Sequence, residues 1–253
     1  VPLPLRQFIE RSLSIPREQR YRDWAETEKS LASVYTQVTG NSSPPEWDGA
    51  EDTPDERLAA GNSYNTMGLS YLDIGKLDVA VMYFEQAVNV ARAENFRELE
   101  GRGLGNLGLA YAALGYIERA IEFHEEHLAI ARELGDRAEE GRSQGNLGLV
   151  YRQKGEPERA VRFHEKELQV FQRLANRFKE AEALHNLGET YRQLGDSAKA
   201  EDYYKQSLAI ARDIGDRTRV ERILNSMGKV FLDSGEYKEA AADRSEEHTS
   251  ELQ

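Results

Sequence analysis

The chain contains no cysteine. Disulfides, thiolate-held zinc and a cysteine nucleophile are therefore excluded, and a cytoplasmic location is the expectation. Long apolar runs are also missing: no stretch approaches the roughly 18 residues that a membrane helix needs. The opening Val1–Leu5 is apolar but brief, and Arg6 follows at once, so it does not read as a secretory signal. Positive charge is scarce as well. Lys and Arg number 33 against 45 Asp and Glu, a formal net charge of −12. Part of the excess is concentrated at Glu46, Asp48, Glu51, Asp52, Asp55 and Glu56, a run without a single Lys or Arg. Binding to nucleic acid needs a basic surface, so neither nucleic acid nor membrane is expected as a partner. Hydrophobic residues make up 39% and charged residues 31% of 253. That supplies a core, and it suits an elongated shape with much surface.

What the chain does have is a repeat of 40 residues. Gly68, Gly108, Gly148, Gly188 and Gly228 are spaced by that interval. So are Tyr71, Tyr111, Tyr151, Tyr191 and Phe231, then Gly75, Gly115, Gly155, Gly195 and Gly235, and finally Ala80, Ala120, Ala160, Ala200 and Ala240. Within one copy, Leu104, Gly108 and Tyr111 form one stripe of a helix. Gly115 can adopt positive φ and ends it. Pro157 opens the second helix of the third copy, where its missing N–H costs nothing. Ala120, Ile121, Phe123, Leu128 and Ala131 then mark the second helix of the second copy. Small residues in the Gly108 and Ala120 columns let two backbones approach closely, and Asp136 and Asp216 are placed to cap the next helix. Asp136 with Glu139 three residues later has the spacing of a capping box. The unit is thus two antiparallel helices of about 15–17 residues, roughly 25 Å each. One hairpin cannot bury its apolar face alone, whereas stacked copies share a continuous core.

These columns resemble the tetratricopeptide repeat. Its small-residue and aromatic signature maps onto Leu147, Gly148, Tyr151 and Ala160, and its second-helix aromatic slot onto Phe84, His124, His164 and Tyr204. The resemblance runs from Asp55 to Asp243 and implies an all-α, right-handed superhelix of antiparallel helix pairs. The period of 40 departs from the family's commoner 34. Long-helix repeats with Asn-Leu-Gly-x-x-Tyr, as at Asn106–Tyr111 and Asn146–Tyr151, resemble the LGN/Pins polarity scaffolds. They are also similar to tetratricopeptide sensor regions of bacterial regulators.

The expected organisation has four parts. Residues 1–39 form a helical segment, a cap or partial repeat, with Tyr21, Trp24, Leu31, Val34 and Tyr35 along one stripe. Residues 40–53 are an acidic, flexible loop. Residues 54–243 hold four full repeats and a truncated fifth, opening with Thr53 as cap and Pro54 at the first helical position. Residues 244–253, RSEEHTSELQ, resemble the translation of a sequencing adapter and are set apart from the fold; the alternative is a genuine polar tail. With the adapter reading, the protein is expected to continue beyond Asp243, and Val1 in place of Met points to an upstream segment.

Two patterns imitate chemistry. Gly103-Leu104-Gly105-Asn106-Leu107-Gly108 matches the dinucleotide fingerprint, but that motif needs a strand before it and a helix starting inside it. Here it lies within a helix, and Ser143 breaks it one repeat later, so no cofactor is expected. His124 and His127 are three apart, where a zinc-protease helix needs four. The His124 column holds Phe84, His164 and Tyr204, which points to a packing ring, and no metal or catalytic residue is expected. The chain is not expected to be an enzyme.

In this family the first helices line the concave side, and the resemblance places the site there. One such column reads Asn62, Arg102, Arg142, Glu182 and Arg222. A second reads Thr66, Asn106, Asn146, Asn186 and Ser226. A third reads Leu72, Ala112, Arg152, Arg192 and Leu232, with Gln153 and Gln193 beside two of its members. Asparagine offers a backbone both a donor and an acceptor, and arginine can hold a carboxylate in a fork. The candidate peptide contacts are therefore Arg102, Asn106, Arg142, Asn146, Arg152, Gln153, Asn186, Arg192, Gln193 and Arg222. Structural roles are the alternative for each, with Asn bonding a neighbouring helix and Arg pairing with Glu. The expected function is a monomeric protein-interaction scaffold that holds an extended, acidic peptide, in an LGN-like signalling role. The alternative is a sensory or autoinhibitory region serving an enzyme or DNA-binding domain outside residues 1–253.

Overall fold

The computed structural model describes residues 53–234. The expected helical segment over 1–39, the acidic loop as far as residue 52, the second helix of the fifth repeat and the tail from 244 lie outside the described residues. Among the described residues nine helices follow one another: α1 (Pro54–Asp73), α2 (Leu77–Ala93), α3 (Arg97–Ala113), α4 (Ile117–Leu134), α5 (Arg137–Lys154), α6 (Pro157–Arg173), α7 (Arg177–Gln193), α8 (Ser197–Asp213) and α9 (Arg217–Ser234). They make four hairpins and the first helix of a fifth, with no strand among the described residues.

Every turn closes in the same way. The residue at 75, 95, 115, 135, 155, 175, 195 and 215 has positive φ. Its N–H bonds the carbonyl three residues back, and the next N–H bonds the carbonyl five back, as in Gly115 to Ala112 at 3.1 Å and Tyr116 to Tyr111 at 2.9 Å. The double bond satisfies carbonyls that the helix end leaves open. The turn therefore recurs every 20 residues, half the period of the other columns. Glycine marks six of the eight positions; Asn95 (φ 58°) and Ala175 (φ 51°) hold the others. Alanine in this region meets a steric penalty of about 1 kcal/mol. Ala175→Gly is accordingly expected to raise the unfolding free energy by up to about 1 kcal/mol, read as a higher urea midpoint at unchanged slope.

Asp136 caps α5 by accepting from the N–H groups of Ala138 and Glu139, both at 3.0 Å. The reciprocal half of the box does not form. The Asp136 N–H is already bonded to the Ala131 carbonyl at 2.9 Å, which leaves the Glu139 carboxylate to accept from the His127 imidazole instead (Nε2 to Oε2, 3.1 Å).

Packing explains the columns. Phe84, His124, His164 and Tyr204 are wholly buried, and each lies on the glycine sixteen residues earlier. A Cβ at Gly68, Gly108, Gly148 or Gly188 would stand 2.4–2.5 Å from that ring. The tyrosine column stacks on the second helix of its own hairpin: Tyr71–Tyr83, Tyr111–Phe123, Tyr151–Phe163 and Tyr191–Tyr203 have centroids 5.1–5.4 Å apart. The dinucleotide-like run lies inside α3. Its glycines receive Val88, His127 and His124 from α2 and α4, and backbone packing accounts for all three.

Candidate peptide-binding groove

First helices touch first helices in succession, α1 to α3, α3 to α5, α5 to α7 and α7 to α9, whereas among the described residues no second helix reaches another. The row of first helices is thus the tighter row, which turns it to the inside of the curve. Along α3, Leu104, Leu107 and Tyr111 are buried in the stack, while Arg102 and Leu109 emerge and Asn106 is half-buried.

Four of the sequence candidates converge. Arg102, Asn106, Arg142 and Asn146 line a hollow of about 250 Å³ between α1, α3 and α5. Asn65 joins them from α1, and its Oδ1 accepts from Asn106 Nδ2 at 2.8 Å. Arg102 donates to Asn62 Oδ1 at 2.9 Å, and Arg142 is ion-paired with Glu139 one turn before it. Burial, ahead of the nearby Arg102 charge, lowers the pKa of Arg142. Leu69 and Leu109 put an apolar rung beside these polar groups, and His127 with Glu139 forms part of the wall.

The remaining candidates lie elsewhere on the first helices. Gln153 and Gln193 are exposed, and they donate to the carbonyls of Ala112 (3.2 Å) and Arg152 (3.3 Å). These bonds tie each first helix to the C-terminal turn of the one before. Arg152 is half-buried, with one guanidinium nitrogen lacking a hydrogen-bond partner, and burial lowers its pKa. Arg192 bridges Asp233 at 2.8 Å and Glu189 at 3.3 Å. Asn186 is buried and Arg222 is exposed. Glu189 is a centre that the sequence columns do not announce. Burial alone would raise its pKa, but hydrogen bonds from Ser226 and Tyr204, together with the Arg192 charge, hold it at about 2. Asn65 and Leu69 were likewise outside the sequence reading, whereas helical periodicity puts Leu109 on the same face as Arg102 and Asn106; Leu69, Leu109 and Leu149 recur at the repeat interval.

A Ser143–His127–Glu139 chain joins α4 to α5, with Ser143 Oγ 2.9 Å from His127 Nδ1. Ser143 is wholly buried, and its hydroxyl, with one proton to give, lies 2.9 Å from both His127 Nδ1 and the Glu139 carbonyl, so its oxygen is a tie between helices.

Curved stacks of helix hairpins, with a polar inner face formed by every other helix, define the class of helical-repeat interaction scaffolds. The tetratricopeptide repeat family model matches residues 59–133, 99–173, 139–213 and 179–242. The chain belongs to the tetratricopeptide repeat family. No curated protein matches in sequence. Among solved structures it is similar to nearly identical repeats of a putative kinesin light chain from Podosopora anserina, at 20% identity and TM-score 0.61, covering 74% of this chain and 92% of that one. It is also similar to a Rap protein complexed with Competence and Sporulation Factor, at 16% identity and TM-score 0.63, covering 95% and 62%. A third likeness is to a signal-transduction ATPase with a tetratricopeptide repeat sensor from Pyrococcus horikoshii, at 15% identity and TM-score 0.63, covering 90% and 35%. At these identities the likeness is one of fold. Among the described residues no helix is long and apolar enough to cross a membrane.

Proposed function

We propose that the array holds an extended, acidic peptide of a partner protein along its first helices, with the hollow between α1, α3 and α5 as the principal pocket. The convergence of Arg102, Asn106, Arg142 and Asn146 on one hollow is the observation that carries this reading. Two guanidinium groups attract a carboxylate-bearing segment. The asparagines offer donors and acceptors to its main chain, and Leu69 and Leu109 offer an apolar contact. Arg152, Gln153, Asn186, Arg192, Gln193 and Arg222 extend the surface toward α9. A cytoplasmic monomer serving as an LGN-like signalling adaptor is the finer form of this proposal. The likeness to a protein with a tetratricopeptide repeat sensor favours one second reading, in which the same groove regulates an effector domain outside residues 1–253.

The test is titration of the whole chain with an acidic peptide library. Arg142→Glu combined with Asn146→Ala is expected to weaken the selected peptide by about tenfold or more, the loss of one charge-assisted and one neutral hydrogen bond. The salt dependence of binding should also fall. Arg142 is ion-paired with Glu139 and Asn146 is half-buried, so the melting temperature is measured alongside to separate a folding loss from a binding loss. Unchanged affinity in the double variant removes the groove assignment.

A further inference from the structure

The junction between the second and third hairpins differs in charge from its neighbours. Between the first and second hairpins the cations are neutralised: Arg92 bonds Glu100 at 2.8 Å and Glu126 at 2.9 Å, and Arg97 pairs with Glu100 and Glu133. Forty residues on, the two arginines recur as Arg132 and Arg137. They share the single carboxylate Glu140, at 3.0 and 2.7 Å. The positions of Glu126 and Glu133, however, now hold Lys166 and Arg173, and that of the buried Leu104 holds Gln144. One junction further, the same three positions are Gln206, Asp213 and Leu184. The reversal is confined to one place.

These residues surround a cavity of about 330 Å³ between α4, α5 and α6. Neither Lys166 nor Arg173 has a carboxylate partner among the described residues; the Lys166 ammonium stands 5.4 Å from the Phe163 ring centre. Gln144 is 2% exposed, and its Oε1 has no hydrogen-bond partner. A buried amide oxygen left unpaired is unfavourable, where leucine fills the equivalent position in the hairpins on either side. Four cations facing one carboxylate repel one another, although all four are exposed and solvent screens part of the repulsion. An anion entering the cavity would relieve the repulsion, and a donor on the same ligand would satisfy the amide.

We propose that this cavity is a binding site for a phosphate-bearing ligand. Arg132, Arg137 and Arg173 would supply planar forks to the phosphoryl oxygens, Lys166 a further charge, and Gln144 a bond to a hydroxyl or N–H of the ligand. The volume falls at the small end of small-molecule pockets. The cavity shares no lining residue with the peptide hollow, so the two sites stand or fall separately.

Calorimetric titration of the whole chain with inorganic pyrophosphate, and separately with a short phosphoserine peptide, tests the site. One molecule per chain is expected to bind, and the tighter probe identifies the source as a small phosphate or a phosphorylated side chain. Lys166→Glu with Arg173→Glu reproduces the charges of the preceding junction, so the fold should tolerate it, and affinity should drop by tenfold or more. Gln144→Leu should raise the melting temperature while weakening binding severalfold. Absence of binding by either probe at millimolar concentration, or equal affinity in wild type and both variants, overturns the proposal.

Discussion

Replacing Tyr204 with alanine should lower the unfolding free energy by about 3–5 kcal/mol, the range for deleting a fully buried aromatic ring. The ring is wholly buried and rests on Gly188, so alanine would leave two small residues facing each other with little nearby to collapse into the gap. The hydroxyl adds a second part to the loss. It donates to Glu189 Oε1 at 2.7 Å, and burial, with this bond after it, pushes the phenol pKa up. Tyr204→Phe separates the two contributions. Phenylalanine fills the same slot at Phe84, and Glu189 retains Arg192 and Ser226, so this variant should cost only about 1–2 kcal/mol. Urea denaturation measures both, and a cost below about 1 kcal/mol for Tyr204→Ala would mean that the slot does not hold the hairpins together.

Acid should unfold the array well before its carboxylates are protonated. Burial lowers the pKa of His124 to about 3 and that of His127 and His185 to about 4. For His127 the Arg142 charge adds to the effect. In the unfolded chain these imidazoles take up protons near pH 6.5. Between that value and about 4 the unfolded state binds more protons, and stability falls as the pH falls. At pH 5 His124, His127 and His185 are each expected to have cost about 2 kcal/mol, a large share of the 5–15 kcal/mol typical of a domain. Glu189, lowered from 4.5 to about 2, contributes stability that is lost progressively as the pH falls between those two values. Glu167, whose pKa burial raises, works in the opposite direction. The melting temperature should therefore drop steeply between pH 7 and pH 5. His124→Phe should raise it at neutral pH, because neither ring nitrogen of His124 has a hydrogen-bond partner, and should flatten the decline. A melting temperature that is level across this interval would refute the account.

The same histidines show where sequence reading succeeds and where it stops. The column containing Phe84, His124, His164 and Tyr204 identified His124 as a packing ring, because a slot that accepts phenylalanine and tyrosine selects for a flat side chain. Nothing in that column indicated that His127 would meet Ser143 and Glu139. Those partners come from the next helix, and the Asp136–Glu139 spacing suggested a capping box. The groove shows a similar division. The Asn106 and Arg102 columns named residues that line one hollow in the structure. Their partners Asn65 and Asn62 lie 41 and 40 residues away, an offset set by how neighbouring helices slide past one another. Gln153 and Gln193 looked free for a ligand on spacing alone, yet their amides already serve the carbonyls of Ala112 and Arg152.

By itself, the sequence determined the period, the helix and turn positions, and which residues face the stack. Each of these follows from local backbone geometry: 3.6 residues per helical turn, a left-handed residue to end a helix, and room for a ring only where Cβ is missing. Ala175 hid one of the eight turns, since alanine does not advertise the positive φ it adopts there, whereas Asn95 is a residue that tolerates it. The tertiary structure alone decided which polar groups are already paired, where Arg102, Asn106, Arg142 and Asn146 close into one hollow, and where Lys166, Arg173 and Gln144 stand around an uncompensated cavity. Charge and hydrogen bonding act through space, between helices that the chain order separates by forty residues.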